Sequence, residues 1–107
     1  MAERIIVYWR DIPAQVLVRR GRTREARELP ERFVQAIDRA AMRAGLREAD
    51  AYLAQWRRAA PQPCGEDLAA EAEAAAAALE AAYDPARLEA LVAAGGLDPA
   101  PARDATD

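Results

Sequence analysis

The sequence predicts an α+β fold, in which a small N-terminal antiparallel sheet of two or three strands is followed by about four helices. Runs of β-branched and aromatic residues lie within the first twenty positions, which favours strands there. From residue 30 onward, apolar residues recur at helical spacing between Pro and Gly residues. The 107 residues fit one hydrophobic core and are too few for two. We therefore expect one domain over residues 1–96.

Two apolar runs near the N-terminus predict a β-hairpin. Residues 5–9 form the first run and residues 15–18 form the second. Residues 11–14 predict the turn between them, because Pro13 lacks the N–H that a strand ladder needs. Side chains alternate along a strand, so one face of the first strand carries three large apolar residues and is the predicted core face: Ile5, Val7 and Trp9.

A third strand is expected over residues 24–29, after a turn at Gly21. A lone hairpin is marginal in water, so a third strand would help to stabilise the sheet. The charges of this segment alternate, which suits an edge strand that must not recruit other chains.

Two helices are expected in the middle of the chain. Pro30 opens the first helix and Gly45 closes it. The second helix is expected to run from about residue 47 to residue 59. Its predicted buried stripe has the spacing i, i+3, i+4, i+7 and consists of Ala49, Tyr52, Leu53 and Trp56.

Two further helices and a tail complete the prediction. The third helix is expected to start at residues 65–67, and its many alanines favour a helix but bury little area. Asp84 caps the fourth helix, Pro85 occupies its first position and Gly95 stops it. Residues 97–107 predict a disordered tail.

The residue types that the chain lacks exclude most enzyme chemistry. It contains no His, Lys, Ser or Asn, and it has one Cys. A serine nucleophile, a histidine base and a lysine Schiff base are therefore excluded. A single Cys without His cannot provide the ligands of a zinc site, and the sequence has no glycine-rich phosphate loop. The sequence predicts no catalytic residue, no cofactor and no metal ligand.

Cys64 is the one candidate for a reactive thiol. It precedes the start of a predicted helix, and a helix N-terminus lowers the pKa of a thiol. The nearby Glu66 and Asp67 act in the opposite direction, because negative charge disfavours a thiolate. We interpret Cys64 as an inert loop cysteine.

The charges divide the chain into two halves. Residues 1–60 contain thirteen Arg against eight acidic residues, whereas residues 61–107 contain two Arg against ten acidic residues. This asymmetry predicts either a basic face for an anionic partner or two halves that pack against each other. Because all basic residues are Arg and Ala is abundant, a GC-rich genome explains much of the Arg content without any binding role.

The aromatic and basic N-terminal segment is the best candidate for an interaction surface. Its candidate residues could stack bases and hold phosphates, or could contact a protein. In the alternative interpretation, the aromatic rings pack beneath the helices and the arginines are solvated. The acidic net charge of −3 makes nucleic acid the less favoured partner. The candidate residues are Tyr8, Trp9, Arg10, Arg19, Arg20 and Arg22.

A cytoplasmic location is expected. No run of eighteen apolar residues predicts a membrane span, and the N-terminus lacks the features of a signal peptide. The single cysteine cannot form an internal disulfide.

Several segments of the chain resemble the bacterial virulence factor domain family. The similar segments extend over roughly residues 3–95 and include residues 7–16, 28–33, 36–38 and 50–53, together with Trp56. In some larger members the domain lies beside an NifU-like scaffold segment and helical repeats, which implies an interaction or accessory role. The resemblance also implies an association of stand-alone members with folate-linked one-carbon enzymes.

Three functions follow as hypotheses. The first is a non-catalytic accessory or adaptor protein that binds an as yet unknown protein partner through the sheet edge or the Arg-bearing face. The second is an auxiliary subunit of an enzyme complex, in folate-linked one-carbon metabolism. The third is binding of an anion or a nucleic acid by the N-terminal arginines and aromatic residues.

Overall fold

The computed structural model describes residues 1–46 and 48–98, and over these residues the chain forms a five-stranded antiparallel sheet and four helices. The α+β class is confirmed, and the sheet has more strands than the predicted two or three. In chain order the elements are β1 (Ala2–Trp9), β2 (Ile12–Arg20), β3 (Thr23–Glu28), α1 (Glu31–Arg43), α2 (Ala49–Leu53), β4 (Trp56–Arg58), β5 (Gln62–Cys64), α3 (Leu68–Ala82) and α4 (Pro85–Ala93).

Strand β1 is the central strand of the sheet. Its first edge pairs with β2, which in turn pairs with β3, so that β3 is an outer strand. Its second edge pairs with both short strands, with β5 near its start and with β4 near its end. Every pair is antiparallel.

The expected second helix, over residues 47–59, is wrong in its second half. The helix ends at Leu53, and Trp56–Arg58 forms β4 opposite the end of β1. Without β4 the second edge of β1 would expose unpaired backbone groups, so a tertiary contact overrides the helical spacing. Ala59 extends this pairing, since its N–H donates to the carbonyl of Ile6 at 2.9 Å. Arg47 lies outside the described residues.

The first turn is tighter than predicted. Residues 12–14 belong to β2, and the turn consists of Arg10 and Asp11. A two-residue turn needs a positive φ, and Arg10 adopts a φ of 53° although it is not glycine. A register shift between Val7 and Tyr8 leaves Ala14 as the extra residue of β2.

The helices cover the sheet face that carries Ile6, so the predicted core face is wrong in part. Directly opposed residues of an antiparallel pair share a face. Val16 is opposite Ile6, and both Val16 and Val18 are fully buried in the main core. Of the three residues expected in the core, Trp9 joins it at the end of β1, Ile5 is buried outside this cluster, and Val7 is half-buried.

Helices α1, α3 and α4 supply the other side of the core. Helix α1 packs against α4, and α3 packs over β2 and β3. The buried helical residues are Phe33, Ala36, Ile37, Ala40, Ala41, Leu68, Ala72, Ala76, Leu88, Leu91 and Val92.

The helix boundaries follow the local signals closely. Pro30 is the N-cap of α1 and not its first residue, so the helix begins at Glu31, one residue later than predicted. Asp67 caps α3 by accepting from Ala70 N, so this helix begins at Leu68 instead of at residues 65–67. The predicted cap of α4 is confirmed, since Asp84 accepts from Arg87 N at 2.8 Å and the helix starts with Pro85. Of the predicted tail, residues 99–107 lie outside the described residues.

Gly96 allows the chain after α4 to approach Trp9. A Cβ at Gly96 would lie 2.7 Å from Cζ3 of the Trp9 ring, and its φ of +94° is strained for any other residue. We expect Gly96→Ala to lower the free energy of unfolding by about 3 kcal/mol, from backbone strain and overpacking together. Urea denaturation followed by Trp fluorescence measures this loss.

Gly45→Ala is the matched control, because Gly45 has a φ of +76° and nothing lies within 4 Å of its added Cβ. It should cost only the backbone strain, about 1 kcal/mol. Equal losses for the two variants would contradict a close contact between Gly96 and Trp9.

Candidate interaction surface

The sheet face opposite the helices carries residues that do not contact the main core, and we call it the open face. The strand registers place its residues in rows across β3, β2, β1 and β4. Ala26 lies beside Leu17, which lies beside Ile5. The open face consists of Glu3, Ile5, Val7, Gln15, Leu17, Arg19, Arg24, Ala26, Glu28 and Arg58.

The centre of the open face is apolar. Val7 and Leu17 are half-buried, and Ile5 between them is only 3% exposed. None of these three side chains belongs to the helical core or packs against it in the part of the chain that the structure describes. The solvated face of an antiparallel sheet is normally polar. The apolar side chains that this face leaves partly accessible are therefore Val7 and Leu17, around an Ile5 that is already buried.

Charged side chains surround the apolar centre. Arg19 on β2 pairs with Glu3 on β1, with 3.1 Å between Nε and Oε1, and both side chains are nearly half exposed. Such a pair contributes little to stability because water screens it. Arg58 lies opposite Val7, and Arg24 lies opposite Arg19. The rim is therefore rich in arginine.

The structure places Trp9 inside the protein. Its side chain is 0% exposed, and its Nε1 donates to the carbonyl of Tyr52 at 3.0 Å. The Tyr52 ring lies 5.6 Å from the Trp9 ring. Trp9 consequently offers no ring face for stacking with a base.

Arg10 serves the fold at the turn after β1. Its Nε donates to Oε1 of Gln55 at 3.1 Å, and its Nη1 donates to the carbonyl of Gly95 at 3.0 Å. Its guanidinium also lies 5.5 Å from the centre of the Trp9 ring. These contacts hold a residue with a positive φ, which costs free energy in a non-glycine residue.

The remaining predicted arginines lie at the opposite end of the hairpin. Arg20 donates to the carbonyl of Glu66 at 3.0 Å and pairs with its carboxylate at 3.4 Å. The pKa of Glu66 is lowered, first by the N–H of Ala2 and then by Arg20. Arg22 is exposed in the β2–β3 turn. The structure therefore does not bring Tyr8 and Trp9 together with Arg19, Arg20 and Arg22.

A polar cluster at the turn after β1 was not found from the sequence. Arg57 of β4 donates from Nη2 to Asp11 Oδ1 at 3.2 Å and from Nε to the carbonyl of Arg10 at 3.0 Å. Its guanidinium lies 4.5 Å from the centre of the Tyr8 ring. The N–H of Asp98 donates to Asp11 Oδ2 at 2.7 Å. Asp11 thus joins the first turn to β4 and to the segment after α4.

Tyr83 extends this cluster from the end of α3. Arg87 lies 4.0 Å from the centre of its ring, and burial of the phenol raises the pKa of Tyr83. Tyr83 is therefore a neutral phenol at physiological pH. The charged members of the cluster pair with one another, so the arrangement joins structural elements.

Cys64 is half-buried in β5, opposite Ala2. The pKa of its thiol is raised, first by burial and then by the nearby Glu71 carboxylate. Both effects favour the neutral thiol over the nucleophilic thiolate. The interpretation of Cys64 as inert stays a prediction, which the alkylation rate tests.

Other kinds of site have little support over residues 1–46 and 48–98. No three acidic or cysteine side chains come together there in a way that could hold a metal ion. A cleft of about 130 Å³ lies between α1 and α4, and the ion pair of Arg39 and Glu89 contributes to its lining. None of the described helices is long and apolar enough to cross a membrane.

The fold defines a small α+β protein in which helices cover one face of a five-stranded antiparallel sheet. The sequence profile of a family described as virulence factor matches residues 7–92. The chain therefore belongs to the virulence factor family, and the resemblance found in the sequence is confirmed. No curated protein and no solved structure matches the chain.

The raised pKa of Cys64 predicts slow alkylation. At pH 8 we expect its reaction with iodoacetamide to be slower than that of free cysteine, because a smaller fraction is thiolate. The rate should rise as the pH passes the ordinary range for a thiol. Glu71→Gln removes a neighbouring negative charge, so it should lower the pKa and speed the reaction at pH 8.

Glu73→Gln is the control for this prediction, because Glu73 lies on the exposed side of the same helix. It should leave the alkylation rate unchanged. A rate faster than that of free cysteine in the unmodified protein would contradict the burial argument.

Proposed function

We propose that this protein is a non-catalytic accessory protein of the virulence factor family that binds a protein partner through the open face. The observation that carries this proposal is the partly accessible pair of Val7 and Leu17 around the buried Ile5. In the described part of the chain, none of these three side chains joins the helical core or packs against it. Burial of such a centre is the main favourable term in protein association.

The charged residues at the rim of the open face indicate which kind of partner surface would bind there. Protein interfaces combine an apolar centre with a polar rim. Arg24 and Arg58 lie on opposite sides of the centre, and the described contacts give neither of them an ion pair. A partner surface with apolar side chains surrounded by carboxylates fits this arrangement.

The state of the polar side chains supports a non-catalytic role. The thiol of Cys64 has a raised pKa, and Arg57 and Asp11 bond to each other at the first turn. Catalytic groups need a pKa near the working pH and access to the substrate. The ion pairs of Arg57 with Asp11 and of Arg20 with Glu66 instead join separate segments of the chain.

The two alternative functions have less support. Binding of an anion or a nucleic acid is less favoured because Arg19 and Arg20 already have carboxylate partners and Trp9 is buried. Retention on heparin that weakens with salt would favour it. A role as an auxiliary enzyme subunit would also use a protein interface, and loss of one enzymatic activity on gene deletion would identify it.

Leu17→Glu tests the open face, because it places a charge at its apolar centre. The full-length protein is used as bait in native cell extract, and the stoichiometric partner is quantified by mass spectrometry. We expect recovery of the partner to fall by at least about tenfold, since an unpaired charge at an interface centre is strongly unfavourable. Circular dichroism checks that the variant is folded.

Val34→Glu is the matched control, because Val34 is an exposed apolar residue on α1, away from the sheet. It should retain the partner at the level of the unmodified protein. Absence of any stoichiometric partner, or full retention by Leu17→Glu, would contradict the proposal.

A further inference from the structure

Strand β3 has one edge bonded to β2 and one edge that pairs with no other strand among the described residues. The N–H of Leu29 donates to the carbonyl of Ala14, toward β2, at 3.1 Å. Backbone groups alternate in direction along a strand. The N–H and C=O groups of Arg24, Ala26 and Glu28 consequently point to the free edge.

Strand β3 carries four charges; Glu25 and Arg27 pair with each other, and Arg24 and Glu28 have no ion-pair partner among the described residues. Arg24 lies opposite Arg19, a like charge, and Arg19 already pairs with Glu3. Glu28 lies opposite the neutral Gln15. Neither Arg24 nor Glu28 has an ion-pair partner within residues 1–46 and 48–98. A further strand beside β3 could therefore provide an oppositely charged partner for Arg24 and for Glu28.

The sequence of β3 is complementary to a second copy of itself in one register. If two β3 strands pair antiparallel with Ala26 opposite Ala26, then Arg24 faces the partner's Glu28 and Glu25 faces the partner's Arg27. Every such pair has opposite charges. The outward-pointing groups of residues 24, 26 and 28 meet one another, as an antiparallel ladder requires.

Other registers are excluded by charge or by backbone direction. If one β3 strand shifts by one residue along the other, the outward-pointing N–H and C=O groups of one copy face residues of the other copy whose N–H and C=O groups already bond to β2. A symmetric pairing centred on any other residue from 24 to 28 places a charged side chain against its own copy, because Ala26 is the one uncharged residue in that segment. Like charges directly opposite each other are destabilising.

We propose that this protein forms a symmetric homodimer in which the free edges of two β3 strands pair with Ala26 on the two-fold axis. The pairing joins two five-stranded sheets into one continuous sheet of ten strands. It occupies only the β3 margin of the open face, at Arg24, Ala26 and Glu28, and leaves the apolar centre and Arg58 to the proposed partner. The two open faces become neighbours on the same side of the dimer.

Arg27 makes contacts in the single chain that the dimer would replace. Its Nη1 donates to Glu25 Oε1 and to the carbonyl of Ala26, both at 3.1 Å. The Ala26 carbonyl points to the free edge, so Arg27 covers it in a single chain. In the dimer the partner's Ala26 N–H replaces this bond. Glu25 and Arg27 of both copies then form a square of alternating charges.

Helix α3 leaves room for a second copy. It packs over β2 and β3, and its exposed positions are mostly alanine, which has a short side chain. A two-fold pairing of β3 brings the two α3 helices to the same side of the sheet. Small side chains permit the close approach that this arrangement needs.

Sedimentation equilibrium of the full-length protein tests the proposal. We expect a reversible dimer with a dissociation constant on the order of micromolar, because two short strands form a small interface. Glu25→Arg and Arg27→Glu each place like charges opposite each other, and each should weaken the dimer by at least about tenfold. Glu48→Arg, an exposed charge reversal away from β3, should leave the dimer unchanged.

Mixing the two weakened variants provides the most specific result. In the mixed pair, residue 25 of one copy and residue 27 of the other again have opposite charges at both positions. The mixture should therefore form a heterodimer, although neither variant forms a dimer efficiently alone. This recovery also shows that both variants are folded.

Ala26→Pro tests the backbone part of the interface. Pro removes the outward N–H without removing a bond to β2, so it should abolish the dimer, whereas Ala26→Val should keep it. A single-chain mass for the unmodified protein at its highest soluble concentration would overturn the proposal. A dimer that is insensitive to Glu25→Arg, or variants that fail to combine, would do the same.

Discussion

The burial of Trp9 at the end of β1 is the contact on which the rest of the structure depends. Its indole N–H bonds to the carbonyl of Tyr52, its ring packs against Tyr52, and Gly96 approaches its six-membered ring. Three distant segments of the chain therefore meet at one side chain. Arg10 and Asp11 directly follow Trp9. They form hydrogen bonds with the segment before β4 and with the segment after α4. Hydrogen bonds from this end of the hairpin therefore reach β4 and the segment after α4.

This anchoring determines which surface remains for a partner. Because β4 and the segment after α4 converge on Trp9, and α3 covers β2 and β3, the helical core lies on the side of Val16 and Val18. On the other side of the sheet, no helix over residues 1–46 and 48–98 packs its core residues against Ile5, Val7 or Leu17. The same topology leaves the outer edge of β3 open among the described residues.

The sequence predicted the parts of the fold that local patterns control. The hairpin, the third strand, α1 and the cap of α4 depend on neighbouring residues, such as Asp84 and Pro85, and these predictions were close. β4 was mistaken for helix because the partner of Trp56 is Trp9, far away in the chain. The core face could not be predicted from β1, because this strand is apolar on both faces. The positions of Val16 and Val18 on β2 show which face packs against the helices.

The candidate surface could be predicted less well for the same reason. Trp9 and Arg10 were grouped with Arg19 and Arg20 because all lie on one hairpin, yet the hairpin separates them along its length. Arg57 was overlooked because its place in a strand beside Tyr8 depends on tertiary pairing. The asymmetry of charge between the two halves was informative, since Glu66 before α3 does pair with Arg20 of β2.

The central claim is that helices cover one face of the sheet and leave Val7 and Leu17 on the other face partly accessible. Solvent paramagnetic relaxation enhancement of methyl groups measures this directly, with a soluble relaxation agent and the unmodified protein. The methyl groups of Val7 and Leu17 should show clearly greater enhancement than those of Val16 and Val18, which should show almost none. Equal protection of all four residues would contradict the account.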